Sequence, residues 1–210
     1  MEDWEAWVKY PHHRNWFNKL WVADKLKYRC GPCGIAPSET LITVVRPIYN
    51  LNGMGVGAEV KTIEKDDWYA VPPGFFWVEK FEGRHISASY KFNSGVKAIW
   101  EPISVWEGFR SEKDPLYKFN KWERLSLEEA PKVPRELNEL YDVKIINVEF
   151  IGEKIIEVHL RDTADPNYDE LYPVWEGEEF TLDGYEYIPL PEDADGQLPQ
   201  KRLGFFVKNR

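Results

Sequence analysis

Chemistry-bearing side chains concentrate in the string NVEFIGEKIIEVHLR, residues 147–161. It reads as a strand, a turn at Gly152 and a returning strand. Residues two apart on a strand share a face, so Glu157, His159 and Arg161 project together. Glu149 joins them from the neighbouring strand. Carboxylates gathered on one side of a sheet suit Mg²⁺, which binds through one or two carboxylates plus substrate phosphates. Arg161 beside them suits an anion, because a guanidinium matches phosphate geometry. The same string also fits a solvated, charged face of an edge hairpin.

A glycine-rich turn, with Gly53, Gly55 and Gly57, separates LITVVRPIYN from AEVKTIE. Both flanks read as strands. A dinucleotide fingerprint needs a following helix, and a P-loop needs a Lys-Ser/Thr pair; neither is present. What remains is a hairpin loop whose backbone N–H groups can approach an anion closely, or a hairpin with no ligand. Arg46, on the entering strand, directs a cation toward that loop. Cys30 and Cys33 form CGPC, the chain's only cysteines. The spacing matches a thioredoxin-type redox motif, but the pair follows a predicted helix and leads into a Gly/Pro loop, which fits two reduced thiols in a structural loop. His12, His13 and Arg14 are read as a helix start or a local cationic patch.

These residues need elements to hold them. Residues 12–27, with Trp16, Leu20, Ala23 and Leu26 near helical spacing, predict one amphipathic helix. Strands are predicted for LITVVRPIYN, AEVKTIE and GFFWVEKFEG, and two more within residues 85–102. Residues 104–117 read as loop, and a helix is predicted to start near Pro134. After Asp162 the sequence turns Pro-, Gly- and acid-rich, with GYEYIPL and LGFFVKN as terminal strands. The predicted class is α+β with mainly antiparallel sheets.

The 210 residues, 43% hydrophobic and 15% aromatic, suffice for one domain with a sizeable core. A formal net charge of −9 disfavours a broad grip on nucleic acid. No segment has the apolar length of a membrane span, and the acidic, aromatic N-terminus lacks a signal-peptide pattern, so a cytoplasmic protein is expected. With ten tryptophans some must be partly exposed, which fits apolar grooves or partner surfaces, while those from Trp68 to Trp122 are expected in the core rather than as a ligand platform.

Across most of residues 15–162 the order of motifs resembles the ATP-grasp superfamily. NKLWVADKL, with Lys19, is similar to the family's early lysine motif. VVRPIYNLNGMGVGA is similar to its strand and glycine-rich loop, with Arg46 where a lysine is usual. FWVEKFEGRHIS is similar to its hinge strand, with Glu79 at the hinge glutamate and His85 where a ribose-binding glutamate often stands. NVEF and EVHLR are similar to its final hairpin, with His159 in place of asparagine.

The resemblance implies an ATP-grasp-like chain of two small lobes enclosing a nucleotide cleft. The approximate lobes are residues 15–80 and 81–165, with a C-terminal extension over 166–210 in one domain. It implies ATP held with Lys19 and Arg46 on the α- and β-phosphates, Gly53 and Gly55 in the closing loop, and the hinge from Glu79 to Phe81 on the adenine. His85 would lie near the ribose. Glu149, Glu157 and His159 would hold Mg²⁺, with Mn²⁺ compatible with the histidine. Arg46 and Arg161 would act on the transferred phosphoryl group. The implied activity is ATP-driven ligation of a small-molecule or peptide carboxylate to an amine or thiol. A non-catalytic ATP-binding module and a nucleotidyl or phosphoryl transferase are the alternatives. With only about fourteen residues before the first predicted helix, the acceptor site must come from the C-terminal tail, the Trp-rich loops, a second copy in a homodimer, or a partner protein.

Overall fold

A computed structural model describes residues 1–51, 55–94, 99–163, 165–191 and 198–209. Gly53 lies outside the described residues. The chain begins with α1 (Asp3–Lys9), a 3-10 helix (Pro11–Phe17) and α2 (Lys19–Lys25). Strands β1 (Cys30–Pro32), β2 (Leu41–Pro47), β3 (Glu59–Ile63) and β4 (Phe75–Glu79) follow. Then come β5 (His85–Asn93), β6 (Ile99–Phe109) and β7 (Lys121–Arg124), short 3-10 helices at Leu127–Glu129 and Arg135–Leu140, and the hairpin of β8 (Ile145–Ile151) and β9 (Lys154–His159). Strands β10 (Glu170–Trp175), β11 (Glu186–Pro189) and β12 (Arg202–Lys208) end the chain.

The strands form two sheets, one ordered β1-β4-β2-β3 and one ordered β11-β12-β10-β7-β6-β5-β8-β9. Among the described residues every strand pairing is antiparallel. The predicted α+β class with mainly antiparallel sheets holds. Among the described residues no helix is long and apolar enough to cross a membrane.

The small sheet packs apolar side chains on both faces, with β3 largely exposed, and its register sorts them. Val45 pairs with Trp77 and packs with Ile63, Ala70 and Val71. Val44 and Arg46 pair with Val78 and Phe76 on the opposite face, where Ala23 and Leu20 of α2 cover them. Alternation therefore delivers Arg46 to the side of the sheet that carries α2.

One face of the large sheet carries the main core, and the other carries a second apolar cluster around Trp106, Trp122 and Leu171. Ile86, Ala88, Tyr90, Val105, Ile146, Val148, Phe150 and Val158 are buried in the main core with Leu137, Leu140, Trp16 and Phe17. Trp100 Nε1 donates to Leu137 O at 3.1 Å, which ties β6 to the Arg135–Leu140 turn. The other face carries His85, Ser87, Ser89, Asn147, Glu149, Glu157 and His159 by register.

The predicted helix over 12–27 is divided in two. Asn18 has extended backbone, and its Oδ1 accepts from Trp21 N at 2.9 Å, so it caps α2 and interrupts the helix. The cap also lets Lys19 N donate to Ile48 O at 2.9 Å, which fixes the start of α2 beside the end of β2. A further helix, α1, precedes the predicted first one. CGPC is not a loop throughout: Cys30 to Pro32 form the edge strand β1 against β4. Residues 104–109, read as loop, extend β6, whose register shifts beside Pro102. The helix predicted near Pro134 is a 3-10 helix.

The connection between the sheets is set by two glycines. Gly83 has φ +127°, and a Cβ there would stand 2.8 Å from Gly152 Cα. The linker leaving β4 thus packs directly on the β8–β9 turn, leaving no room for a side chain.

Candidate functional site

The polar face of β8 and β9 is not solvated. Glu157 and His159 are 14% and 11% exposed at their side chains, so the edge-hairpin reading of this string does not describe it. Glu149 stands directly opposite Glu157.

Lys19 Nζ, at the start of α2, lies 2.5 Å from Glu157 Oε1. Arg46, reaching from β2, donates from Nη2 to Glu157 Oε2 at 3.0 Å and from Nη1 to Ile156 O at 3.2 Å. The Ile156 carbonyl is available because the β8–β9 register shifts between Glu149 and Phe150, leaving Ile156 unpaired. One carboxylate thus receives two cations, one from α2 and one from the small sheet.

His159 occupies the centre. Its Nε2 is 3.6 Å from Glu149 Oε1 and 4.0 Å from Glu157 Oε1. Its Nδ1 donates to Asp3 Oδ2 at 2.7 Å. Arg161 donates from Nε to Asp3 Oδ1 at 2.8 Å. Three carboxylates, Asp3, Glu149 and Glu157, therefore meet the cationic groups of Lys19, Arg46, His159 and Arg161.

The protonation states follow from burial opposed by these contacts. Burial would lower the His159 pKa, but Asp3 first, then Glu149 and Glu157, raise it to about 10. Burial would raise Asp3, and His159 and Arg161 overcome it, bringing its carboxyl to about 2. Glu149 is likewise opposed by burial and held well below the carboxylate range by His159 and His85. For Glu157, burial and the Glu149 charge raise the pKa, while Lys19, His159 and Arg46 bring it down on balance.

His85 reaches this cluster through Glu149, with Nε2 3.3 Å from Glu149 Oε2. Its ring sits edge-on to Phe119 at 4.8 Å and Trp122 at 5.6 Å. The hinge residues are placed elsewhere. Glu79 Oε1 accepts from Arg29 N at 3.1 Å, and Phe81 packs edge-on to Tyr28 at 4.9 Å. Gly55 and Gly57, in the turn after β2, have φ of +75° and +79°.

The structure thus brings together Lys19, Arg46, Glu149, Glu157, His159, Arg161 and, at the margin, His85. It puts Glu79 and Phe81 in other contacts. Asp3 escaped the sequence reading. Helical spacing of Ala6 and Tyr10 could have marked α1, but nothing local pairs Asp3 with residues 159 and 161. Outside the cluster, Trp77, Trp100, Trp106 and Trp122 are buried as expected, while Trp68 is 51% exposed. Cys30 and Cys33 are unpaired thiols. Burial, then the charges of Asp24 and Glu79, push the Cys30 thiol up to about 11, away from a reactive thiolate.

Two features of the cluster fit an anion and a divalent cation. Arg46 Nε is buried without a hydrogen-bond acceptor, as expected of a guanidinium with a binding position left over. His85 Nε2, though close to Glu149, also lacks hydrogen-bonding geometry, so Glu149 keeps acceptor capacity for a metal. The space beside Lys19, Glu157 and His159 is about 10 Å³, room for about one water.

No protein-family model matches the sequence, and no curated protein does. Among solved structures, the chain is similar to a protein assigned to the ATP-grasp superfamily from Archaeoglobus fulgidus, with 14% identity and a TM-score of 0.39 over 71% of this chain and 47% of that one. It is also similar to L-amino acid ligase from Bacillus licheniformis, with 13% identity and a TM-score of 0.44 over 70% of this chain and 41% of that one. The chain spans less than half the length of either protein. Likeness this loose carries no chemistry across, so the reading rests on the residues of the cluster.

Proposed function

We propose that this chain binds Mg-ATP at the junction of its two sheets and uses it to activate a carboxylate. The observation that carries the reading is the convergence of Lys19 and Arg46 on Glu157, with Arg46 Nε left over. A triphosphate is the ligand class that suits both cations at once. Phosphate oxygens on Lys19 and Arg46 would release Glu157, which with Glu149 would then hold Mg²⁺; His159 would assist only after giving up the proton that its carboxylate neighbours stabilise. When bound, the ion neutralises developing charge on the phosphates.

In the proposed reaction a carboxylate oxygen of the acceptor attacks the γ-phosphorus, and the bond to the β–γ bridging oxygen breaks. ADP leaves and an acyl phosphate forms. An amine or thiol then adds to the carbonyl carbon, and inorganic phosphate departs. Lys19 and Arg46 orient and neutralise phosphates, while Arg161 faces the transferred group; such catalysis is positioning and charge stabilisation. The acceptor is a small-molecule or peptide carboxylate, and a cytoplasmic setting with its ATP supply belongs to the same proposal.

The protonated His159, which offers no lone pair to a metal, favours a second reading, in which the chain binds nucleotide without turnover. One experiment separates them. Thermal unfolding is followed with Mg-ATP, for wild type, Arg46→Ala and Glu157→Gln, and phosphate release is scored with a panel of carboxylates and amines. Saturation at about 100 times Kd adds about 2.7 kcal/mol to the folded state. A wild-type shift lost in both variants, with acceptor-dependent phosphate release, supports the ligase. A shift without turnover leaves the binding module. No shift with any nucleotide, in Mg²⁺ or Mn²⁺, overturns both.

A further inference from the structure

A second cluster of ligand-type side chains lies apart from the one above. His12 and His13 are neighbours in the Pro11–Phe17 helix, and Asp142 follows the Arg135–Leu140 turn. His12 Nε2 is 2.8 Å from Asp142 Oδ2, and His13 Nε2 is 2.6 Å from Asp142 Oδ1. The two imidazole centroids are 4.1 Å apart. One nitrogen from each ring and one carboxylate oxygen lie within 4.8 Å of one another.

We infer that His12, His13 and Asp142 form a binding site for a divalent transition ion of the zinc class. Sequence neighbours on a 3-10 helix point about 120° apart, yet both rings turn their Nε2 to one carboxylate. The donor set is two imidazoles and one oxygen. Imidazole suits Zn²⁺, Cu²⁺ and Ni²⁺, whereas Mg²⁺ and Ca²⁺ take oxygen ligands, so the set selects against the latter. Tetrahedral donors about 2 Å from zinc stand about 3.3 Å apart, so the 2.8 and 2.6 Å contacts to Asp142 open by about half an ångström and the ion takes the place of the hydrogen bonds between the three groups. His12, 58% exposed, is free to turn, while the more buried His13 is already fixed. Both Nε2 atoms now donate to Asp142, so binding moves each neutral ring's proton to Nδ1, and no other group need accept it. Water completes the shell on the exposed side, as in three-ligand zinc sites.

The ion would join residues far apart in the chain, pinning the N-terminal helices to the turn after residue 140. Those helices carry Asp3 and Lys19. The inference stands whether or not the proposed ATP chemistry does.

The test is calorimetric titration of the chelator-treated full chain with ZnCl₂, in a Cys30→Ser/Cys33→Ser background that removes competing thiols. The variants are His12→Ala, whose exposed ring can be removed without disturbing the core, Asp142→Asn, and Glu157→Gln as the control on the other cluster. CoCl₂ serves as a spectroscopic probe. The expected result is one ion per chain, affinity lowered at least about tenfold by His12→Ala and Asp142→Asn, little change with Glu157→Gln, and no competition from millimolar MgCl₂. A visible Co²⁺ band lost in His12→Ala adds support. Absence of stoichiometric binding in the parent, or binding that His12→Ala leaves unaltered, overturns the inference.

Discussion

Lys19 Nζ lies 2.5 Å from Glu157 Oε1, and the two side chains are 6% and 14% exposed. The contact joins the first residue of α2 to β9 and needs no ligand to form. Removing one member of a buried pair strands the other charge, whereas replacing both with apolar groups is often neutral. Glu157 also holds Arg46, so Lys19→Met leaves it one cation and is expected to cost less in urea unfolding than the about 3 kcal/mol of a fully stranded charge. Lys19→Met/Glu157→Leu strands Arg46 and is expected to be less stable than the single variant. A double variant as stable as wild type would show that Arg46 does not depend on Glu157.

Asp3 holds His159 and Arg161 together while belonging to α1. Asp3→Asn keeps the shape but removes the charge opposing two cations. The expected loss is about 3 kcal/mol, with faster amide exchange throughout α1 than in β8. Unchanged exchange in α1 would mean that Ala6 and Tyr10, buried in the main core, suffice to hold it.

At Gly83 a substitution meets both a left-handed backbone and the body of the neighbouring turn. Gly83→Ala is expected to destabilise the chain by at least about 1–3 kcal/mol, read as a lower melting temperature. Gly177→Ala, with φ +82° but open space around it, should cost less and isolates the contribution of crowding.

The two thiols should label in sequence as pH rises. Burial, aided by Asp24 and Glu79, places the Cys30 thiol at about 11. A raised thiol pKa means less thiolate at a given pH, so at pH 8 iodoacetamide should modify the exposed Cys33 and spare Cys30. Cys30 labelling should climb only as the pH approaches about 11. Mass spectrometry of peptides resolves the pair, and equal labelling at pH 8 would refute the shielding of Cys30.

Much of the strand content was legible because it follows simple alternation. LITVVRP, FFWVE and the NVEF–EVH hairpin occupy the expected positions, and period two puts Glu157 and His159 on one face, while the register shift at Ile156 brings Glu149 to that same face. What local pattern did not disclose depends on distant partners. Strand β10 contains Pro173, which argues against an interior strand. Its pairing with β7 covers only Glu170 and Leu171, so the proline falls beyond that ladder and is tolerated. The break at Asn18 turns on a single side chain capping a helix. That Lys19 and Arg46 meet on Glu157 depends on how α2 docks on the small sheet, which no local pattern encodes.

The unpaired Ile156 has a consequence for how this hairpin can vary. Ile155 and Glu157 are two apart, yet Ile155 is buried with the main core while Glu157 faces Lys19. A regular strand would put both on one side. The extra residue acts as a parity switch, and its carbonyl also serves Arg46. Lengthening the chain at the Gly152 tip leaves that parity alone. Gaining or losing one residue between Ile155 and Glu157 inverts it, exchanging the sides on which the ion cluster and the hydrocarbon interior are built.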